Sequence, residues 1–378
     1  MKKRKVVVAV GTRPEAIKLS PVILALKRSS FFKSFVLVSN QQKETEKFLK
    51  IFDIKPDISF PNRDIHGDLL SSLSVLLKDF KDIYRRIKPD FILVQGDTLT
   101  ALAGGIAAFL EKIPFGHVEA GLRTTNTFCP FPEEANRRII DEIASICFVP
   151  TKEAEANLLK ENIDKDRIKI TGNTVIDAVR IIKDHFNDRD FLLKIEKNLK
   201  KLLGNFLFSN FFIFTCHRRE NRNLKNLKII ADNIKSVLKK HSNFFCFLIL
   251  HSNPAVSELL KKTFNKITNV KILPPLNYPE FIFLLERSSF VVTDSGGIQE
   301  ESYFLGKTVF LIRDETERKE LVKADNVIEL GISKEIFFKK VDSFLKKEDY
   351  SLEKSNRFLL GDGYSAEKIV KFLKKFLK

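Results

Sequence analysis

No tryptophan occurs in this chain of 378 residues, methionine occurs once and cysteine four times. No apolar run approaches the roughly 18 residues that a membrane span requires, so no span is expected. The N-terminus also lacks the shape of a secretory signal: after the basic residues Lys2 to Lys5, the short run Val6 to Val10 passes straight into a turn. A cytoplasmic location is the expectation. Cys129, Cys147, Cys216 and Cys246 stand far apart with no paired spacing, which argues against a zinc knuckle and a disulfide framework. No Gly-x-Gly-x-x-Gly follows a strand-like run, and Gly306-Lys307-Thr308 is no P-loop, because Glu301 stands where that loop needs its first glycine. Hydride transfer on a dinucleotide and P-loop ATP hydrolysis are thereby set aside.

What is present in excess is positive charge, with 65 Lys and Arg against 48 Asp and Glu and a formal net charge of +17. A clustered excess would mark a nucleic-acid surface held by counterion release. Here the lysines are dispersed, as in Lys239-Lys240, Lys261-Lys262, Lys339-Lys340 and Lys374-Lys375, which is the pattern of solvated helix faces. No nucleic-acid partner is expected. The 44% hydrophobic and 30% charged fractions belong to a folded globular protein. At ~150 residues per domain, the length predicts two or three domains. The 35 phenylalanines read as a bias of the whole composition.

Short β-branched or aromatic runs recur, each followed by a turn and a helical pattern, which is the signature of parallel βαβ units. Val6 to Val10, Phe35 to Ser39, Phe91 to Gln95, Phe115 to Val118 and Ile146 to Val149 read as strands of one sheet. Phe211 to Thr215, Phe245 to Leu250, Val270 to Leu273, Phe290 to Thr293 and Thr308 to Ile312 read as a second. The fold class is α/β with two Rossmann-like domains, 1–171 and 172–360. Gly361-Asp362-Gly363 then breaks the chain before a final amphipathic helix, 361–378, with Ile369, Val370, Leu373, Phe376 and Leu377 on one face. Doubly wound domains bind ligands at the carboxyl ends of their strands, where helix N-termini offer free N–H groups to anions.

The charged motifs lie at those ends. Gly11-Thr12-Arg13-Pro14-Glu15-Ala16-Ile17-Lys18 follows Val10, with Pro14 near the start of a helix, where a missing N–H costs nothing. Gly96-Asp97-Thr98 follows Gln95, Gly116-His117-Val118-Glu119-Ala120-Gly121-Leu122-Arg123 carries Glu119 out of the next strand, and Pro132-Glu133-Glu134 opens a helix. Each acid alone fits a helix cap; three arriving at one rim suggest acid–base work. In the second half, Cys216-His217-Arg218-Arg219-Glu220-Asn221 and His251-Ser252-Asn253-Pro254 end strands. His241 and His66 read as structural. Asp294-Ser295-Gly296-Gly297-Ile298-Gln299-Glu300-Glu301 combines small residues with a helix start that suits a diphosphate, with Glu301 one turn on, suited to ribose hydroxyls. As a bare pattern it also fits an ordinary glycine turn.

Together these strings, with TGNTVIDA (Thr171 to Ala178), RDETER (Arg313 to Arg318) and the late GDG, resemble the non-hydrolysing bacterial branch of the UDP-N-acetylglucosamine 2-epimerase family nearly end to end. The resemblance implies a B-type glycosyltransferase-like fold, two domains facing across a deep cleft, and a C-terminal helix returning to the first. It implies a UDP-sugar substrate, a homodimer, and neither cofactor nor metal. Asp97, Glu119 and Glu133 match the family's catalytic acids and His217 its catalytic histidine. Arg13, Lys18, Ser295, Gly296 and Glu301 match its ligand contacts, Gly297 lies in the same loop, and Phe281 matches a residue that stacks on uracil.

The implied chemistry expels UDP from carbon 1 while a base takes the proton from carbon 2, which has no neighbouring carbonyl to acidify it. Return of UDP to the resulting glycal, with a proton on the other face, gives the manno isomer. An acid and a base with separated pKa values are needed, together with cations on the leaving diphosphate, for which Arg13, Arg218 and His217 are candidates. A hydrolysing relative that releases UDP and free N-acetylmannosamine, a glycosyltransferase of the same fold and a noncatalytic nucleotide-sugar sensor are the alternatives. One departure stands out. Where the family's non-hydrolysing members carry Gln-His-Arg in a segment that holds an activating second substrate, this chain reads Gln41-Gln42-Lys43-Glu44, which predicts weak or absent activation.

Overall fold

The structure is a computed structural model that describes residues 2–42, 44–61, 68–124, 126–216, 224–250, 253–312, 318–323, 327–331, 334–346 and 358–378. The chain divides into two compact units, Met1–Ile181 with Phe358–Lys378, and Ile182–Arg357. The division falls inside the helix Thr174–His185. The reason lies in the first half of that helix: Val175, Ile176, Ala178 and Val179 are buried, and Asp177 Oδ1 accepts a 2.7 Å hydrogen bond from the N–H of Ala366.

In the first unit, β1 (Arg4–Val10), β2 (Phe32–Val38), β3 (Ile58–Ser59), β4 (Phe91–Gln95), β5 (Phe115–Val118), β6 (Ile146–Val149) and β7 (Ile168–Ile170) form a sheet in the order β3-β2-β1-β4-β5-β6-β7. Every pairing is parallel. Helices cover such a sheet on both faces, so its central strands read as unbroken apolar runs, and β4, β5 and β6 are buried throughout. The edge strands β3 and β7 are too short to leave a periodic signal in the sequence. The final helix, Ser365–Phe376, belongs to this unit and buries Ala366, Ile369 and Leu373. Phe376 meets Phe91 edge-on at 5.6 Å.

In the second unit, β8 (Asn210–Phe214), β9 (Phe244–Ile249), β10 (Val270–Leu273), β11 (Phe290–Thr293), β12 (Thr308–Leu311) and β13 (Val327–Glu329) form a parallel sheet in the order β10-β9-β8-β11-β12-β13. The phenylalanine excess has a definite place here. Phe212 stacks on Phe290 with centroids 4.6 Å apart, Phe310 meets Phe290 edge-on at 5.3 Å, and Phe344 meets Phe310 likewise at 5.4 Å. Offset and edge-on pairs are the favoured aromatic geometries. Among the described residues, no helix is long and apolar enough to cross a membrane.

Candidate active site

The strand order of the first sheet reverses between β1 and β4, so the chain leaves these neighbours towards opposite faces and opens a crevice at their carboxyl ends. Gly11-Thr12-Arg13 leaves β1 and Gly96-Asp97-Thr98 leaves β4 at that point. Glu15 ties the two turns together. Its carboxylate accepts from the N–H of Gly11 at 3.0 Å, from Thr12 Oγ1 at 2.7 Å and from Thr98 Oγ1 at 2.7 Å. Burial pushes the Glu15 carboxyl up to about 7, against the opposing effect of these donors.

Glu119 follows β5 with φ 67, in the left-handed region that side chains other than glycine rarely adopt. That turn aims the carboxylate at polar partners from three other segments. Lys18 Nζ donates to Oε1 and Gln95 Nε2 to Oε2, and Asn173 Nδ2 lies 3.4 Å from Oε1. The Lys18 and Glu119 side chains are each 7% exposed. Asp97 is more open, at 33%, with Oδ2 paired to Arg137 at 3.0 Å and its carbonyl accepting from Asn136 Nδ2 at 2.8 Å. Glu133 begins the helix Glu133–Ile143 that carries both of those partners. Its Oε2 is shielded from solvent and accepts no hydrogen bond among the described residues, an arrangement common where a polar group is kept for a ligand.

Behind these acids runs a closed circuit of alternating charge. Arg137 links Asp97 to Glu134, Arg138 links Glu134 to Glu161, and Arg123 links Glu161 to Asp141. His117 then joins Asp141 to the carbonyl of Gly96, the residue before Asp97. Gly121 closes the turn at φ 82, where a Cβ would lie 2.4 Å from the carbonyl oxygen of Ala154, so only glycine fits.

In the second unit, the strand order reverses between β8 and β11. Thr215 and Thr293, at their ends, share a 2.7 Å hydrogen bond. Ser295 is the N-cap of the helix Gly296–Phe304; its N–H donates to Thr293 Oγ1 at 3.0 Å, and its hydroxyl makes no cap bond to the first N–H groups of that helix. The Arg318 guanidinium lies against Gly296, where a Cβ would come within 2.7 Å of Nη1, and its Nε donates to Glu300 at 2.6 Å. Gly297 faces open space. A helix N-terminus, a buried arginine and two glycines suit a phosphate group.

The family model for UDP-N-acetylglucosamine 2-epimerase matches residues 24–374. A UDP-N-acetylglucosamine 2-epimerase of Neisseria meningitidis is 38% identical over 93% of this chain and 94% of its own length. A crystal structure of the Neisseria meningitidis enzyme bound to UDP-GlcNAc superposes with a TM-score of 0.90 at 35% identity, covering 98% of this chain and all of that one. A Methanocaldococcus jannaschii UDP-GlcNAc 2-epimerase in complex with UDP-GlcNAc and UDP matches at 32% identity with a TM-score of 0.83, over 98% and 99% of the two chains. The chain belongs to the UDP-N-acetylglucosamine 2-epimerase family.

Of the residues expected to act in this epimerase-family chain, Lys18 and Glu119 meet directly, Asp97 and Glu133 share a helix's partners, and Arg13 stands at the same crevice with its guanidinium 5.0 Å from the Phe48 ring. Ser295, Gly296, Gly297 and Glu301 share one helix start, Glu301 being buried. Phe281 is 4% exposed, which leaves little ring surface for a base to stack on. His217, Arg218 and Lys43 lie outside the described residues. Gln41 and Gln42 brace the site's own turns: Gln41 Oε1 accepts from Thr100 N and Oγ1, and Gln42 Oε1 from the N–H of Arg13. Glu44 pairs with Lys47 in solvent. Gln95, Asn173, Arg137 and Arg318 were not anticipated as site residues. A polar Gln95 closing an otherwise apolar strand was one signal, and Asn173 and Arg318 lie in the strings TGNTVIDA and RDETER that carry the family resemblance; which site groups they meet appears only in three dimensions.

Proposed function

We propose that this chain interconverts UDP-N-acetylglucosamine and UDP-N-acetylmannosamine by eliminating UDP and adding it back through a glycal. Family membership supports the reaction, and the observation that carries it to these residues is the Glu119 carboxylate. It is held by Lys18, Gln95 and Asn173 beside a crevice that also presents Asp97. In this reading Asp97, Glu119 and Glu133 move the carbon 2 proton, and His217 assists. Arg13, Arg218 and Arg318 stabilise the leaving diphosphate, which docks on the Ser295 hydroxyl and the N–H groups of Gly296 and Gly297, while Glu301 takes the ribose. The reading includes a homodimer, as the family resemblance implies, and a cytoplasmic location, as the sequence leads one to expect.

Turnover in heavy water tests it. The manno product is expected to carry deuterium at carbon 2, because the returning proton comes from a group that exchanges with solvent. Manno product with its original hydrogen fully retained would overturn elimination, release of free N-acetylmannosamine would favour the hydrolysing branch, and binding without turnover would favour a sensor.

A further inference from the structure

His117 is fully buried in β5, two residues before Glu119. Its Nε2 lies 2.8 Å from the carbonyl oxygen of Gly96 and its Nδ1 lies 2.6 Å from Asp141 Oδ1. A main-chain carbonyl only accepts, so Nε2 carries a hydrogen. An ionised carboxylate also only accepts, and Asp141 has other donors to keep it ionised. Arg123 Nη1 lies 2.8 Å from Oδ2, and the N–H of Gly121 donates to the same oxygen at 3.2 Å. Nδ1 therefore carries a hydrogen as well.

We propose that His117 rests as an imidazolium with a hydrogen on each ring nitrogen and is a positioning residue for the reaction proposed above, clamping the Gly96-Asp97 turn to Asp141. A neutral imidazole has one N–H and would leave one of the two acceptors unsatisfied in a buried site. The charge also balances the circuit behind the acids among the described residues: His117, Arg123, Arg137 and Arg138 face Asp97, Glu134, Asp141 and Glu161, four against four. Asp141 completes the device. Through His117 it fixes the turn bearing Asp97, and through the N–H of Gly121 it fixes the turn bearing Glu119. One buried ion pair thus sets two acids that would act on the same carbon.

The charge state is read by side-chain NMR of the protein labelled with nitrogen-15 in its 6 histidines, the His117 signals being those absent from His117→Gln. Both ring nitrogens are expected to be protonated at neutral pH, and Asp141→Asn should remove one of the two protons. A neutral His117 in the wild type overturns the proposal. Kinetics test the positioning. His117→Gln and Asp141→Asn should each lower kcat by roughly tenfold to a hundredfold, the cost of a small misplacement of a reacting group. KM should change little, and the double variant should be no worse than the poorer single one. Unchanged kcat in both, or a loss confined to KM, would equally overturn it. The charge state is read in resting wild-type protein, and should His117→Gln fail to fold, the His117 signals are identified as those that lose a ring proton in Asp141→Asn. A wild type without turnover would remove the proposed function and leave the imidazolium to be judged by its spectrum.

Discussion

Glu119 and Glu15 are both buried acids in one crevice, yet their surroundings give them different work. Glu119 is met by the cation of Lys18, while among the described residues Glu15 is met by neutral donors. For the acids assigned to proton transfer, Asp97→Asn, Glu119→Gln and Glu133→Gln should each cut turnover by about two orders of magnitude or more. Circular dichroism should show the fold retained, and near-wild-type rates in all three would end the assignment. Glu15 gives a stability prediction. Its carboxyl is raised from 4.5 to about 7, so between those pH values the folded protein keeps a proton that the unfolded chain has lost. Stability therefore falls as pH rises through that window and levels off above it, by up to about 3 kcal/mol from this group alone. Glu15→Gln cannot ionise. Its melting temperature should fall less steeply than the wild type's from pH 4.5 to 7, and parallel slopes would count against the burial argument.

At the scale of elements, the two turns that join the last helix to the first unit depend on glycine. Gly172 has φ 94, and a Cβ there would lie 2.5 Å from Ser365 Oγ and 3.0 Å from the Cα of Gly361. The N–H of Asn173 donates to the carbonyl of Leu360 at 2.7 Å across the same contact. Gly172→Ala combines a strained backbone with a clash, and a loss of about 1–3 kcal/mol is expected from the strain alone. Gly204 also has positive φ, 58, but nothing lies within 4 Å of its Cβ position. Gly204→Ala is therefore the control for strain without clash. Urea midpoints should rank wild type, then Gly204→Ala, then Gly172→Ala, and equal midpoints for the two variants would show that the helix contact yields freely.

At the scale of the whole molecule, regulation separates from catalysis. The segment Gln41-Gln42-Lys43-Glu44 departs from the Gln-His-Arg of the family's activated members. Gln41 and Gln42 are engaged with Thr100 and Arg13, and Glu44 adds an exposed negative charge. An anionic activator gains little from that arrangement. The reverse reaction should start from UDP-N-acetylmannosamine alone without delay. A long lag abolished by a trace of UDP-N-acetylglucosamine would show that an activator site is intact.

Much of this was legible in the sequence. Parallel strands buried on both faces must be apolar throughout, so β4, β5, β6 and β11 stand where their runs stand, and the turns after β1, β4, β5 and β11 carry the charged motifs because backbone groups end there. Only the tertiary structure paired Lys18 with Glu119 and Arg137 with Asp97, and it alone closed the circuit through Glu134, Glu161, Asp141 and His117. These partners come from separate segments of the chain, and local pattern carries no information about which distant charges meet. It also could not show which way each ring nitrogen of His117 points. That follows from the parallel register, which sets His117 beside Val94 and Cys147 and so within reach of Gly96 and Asp141.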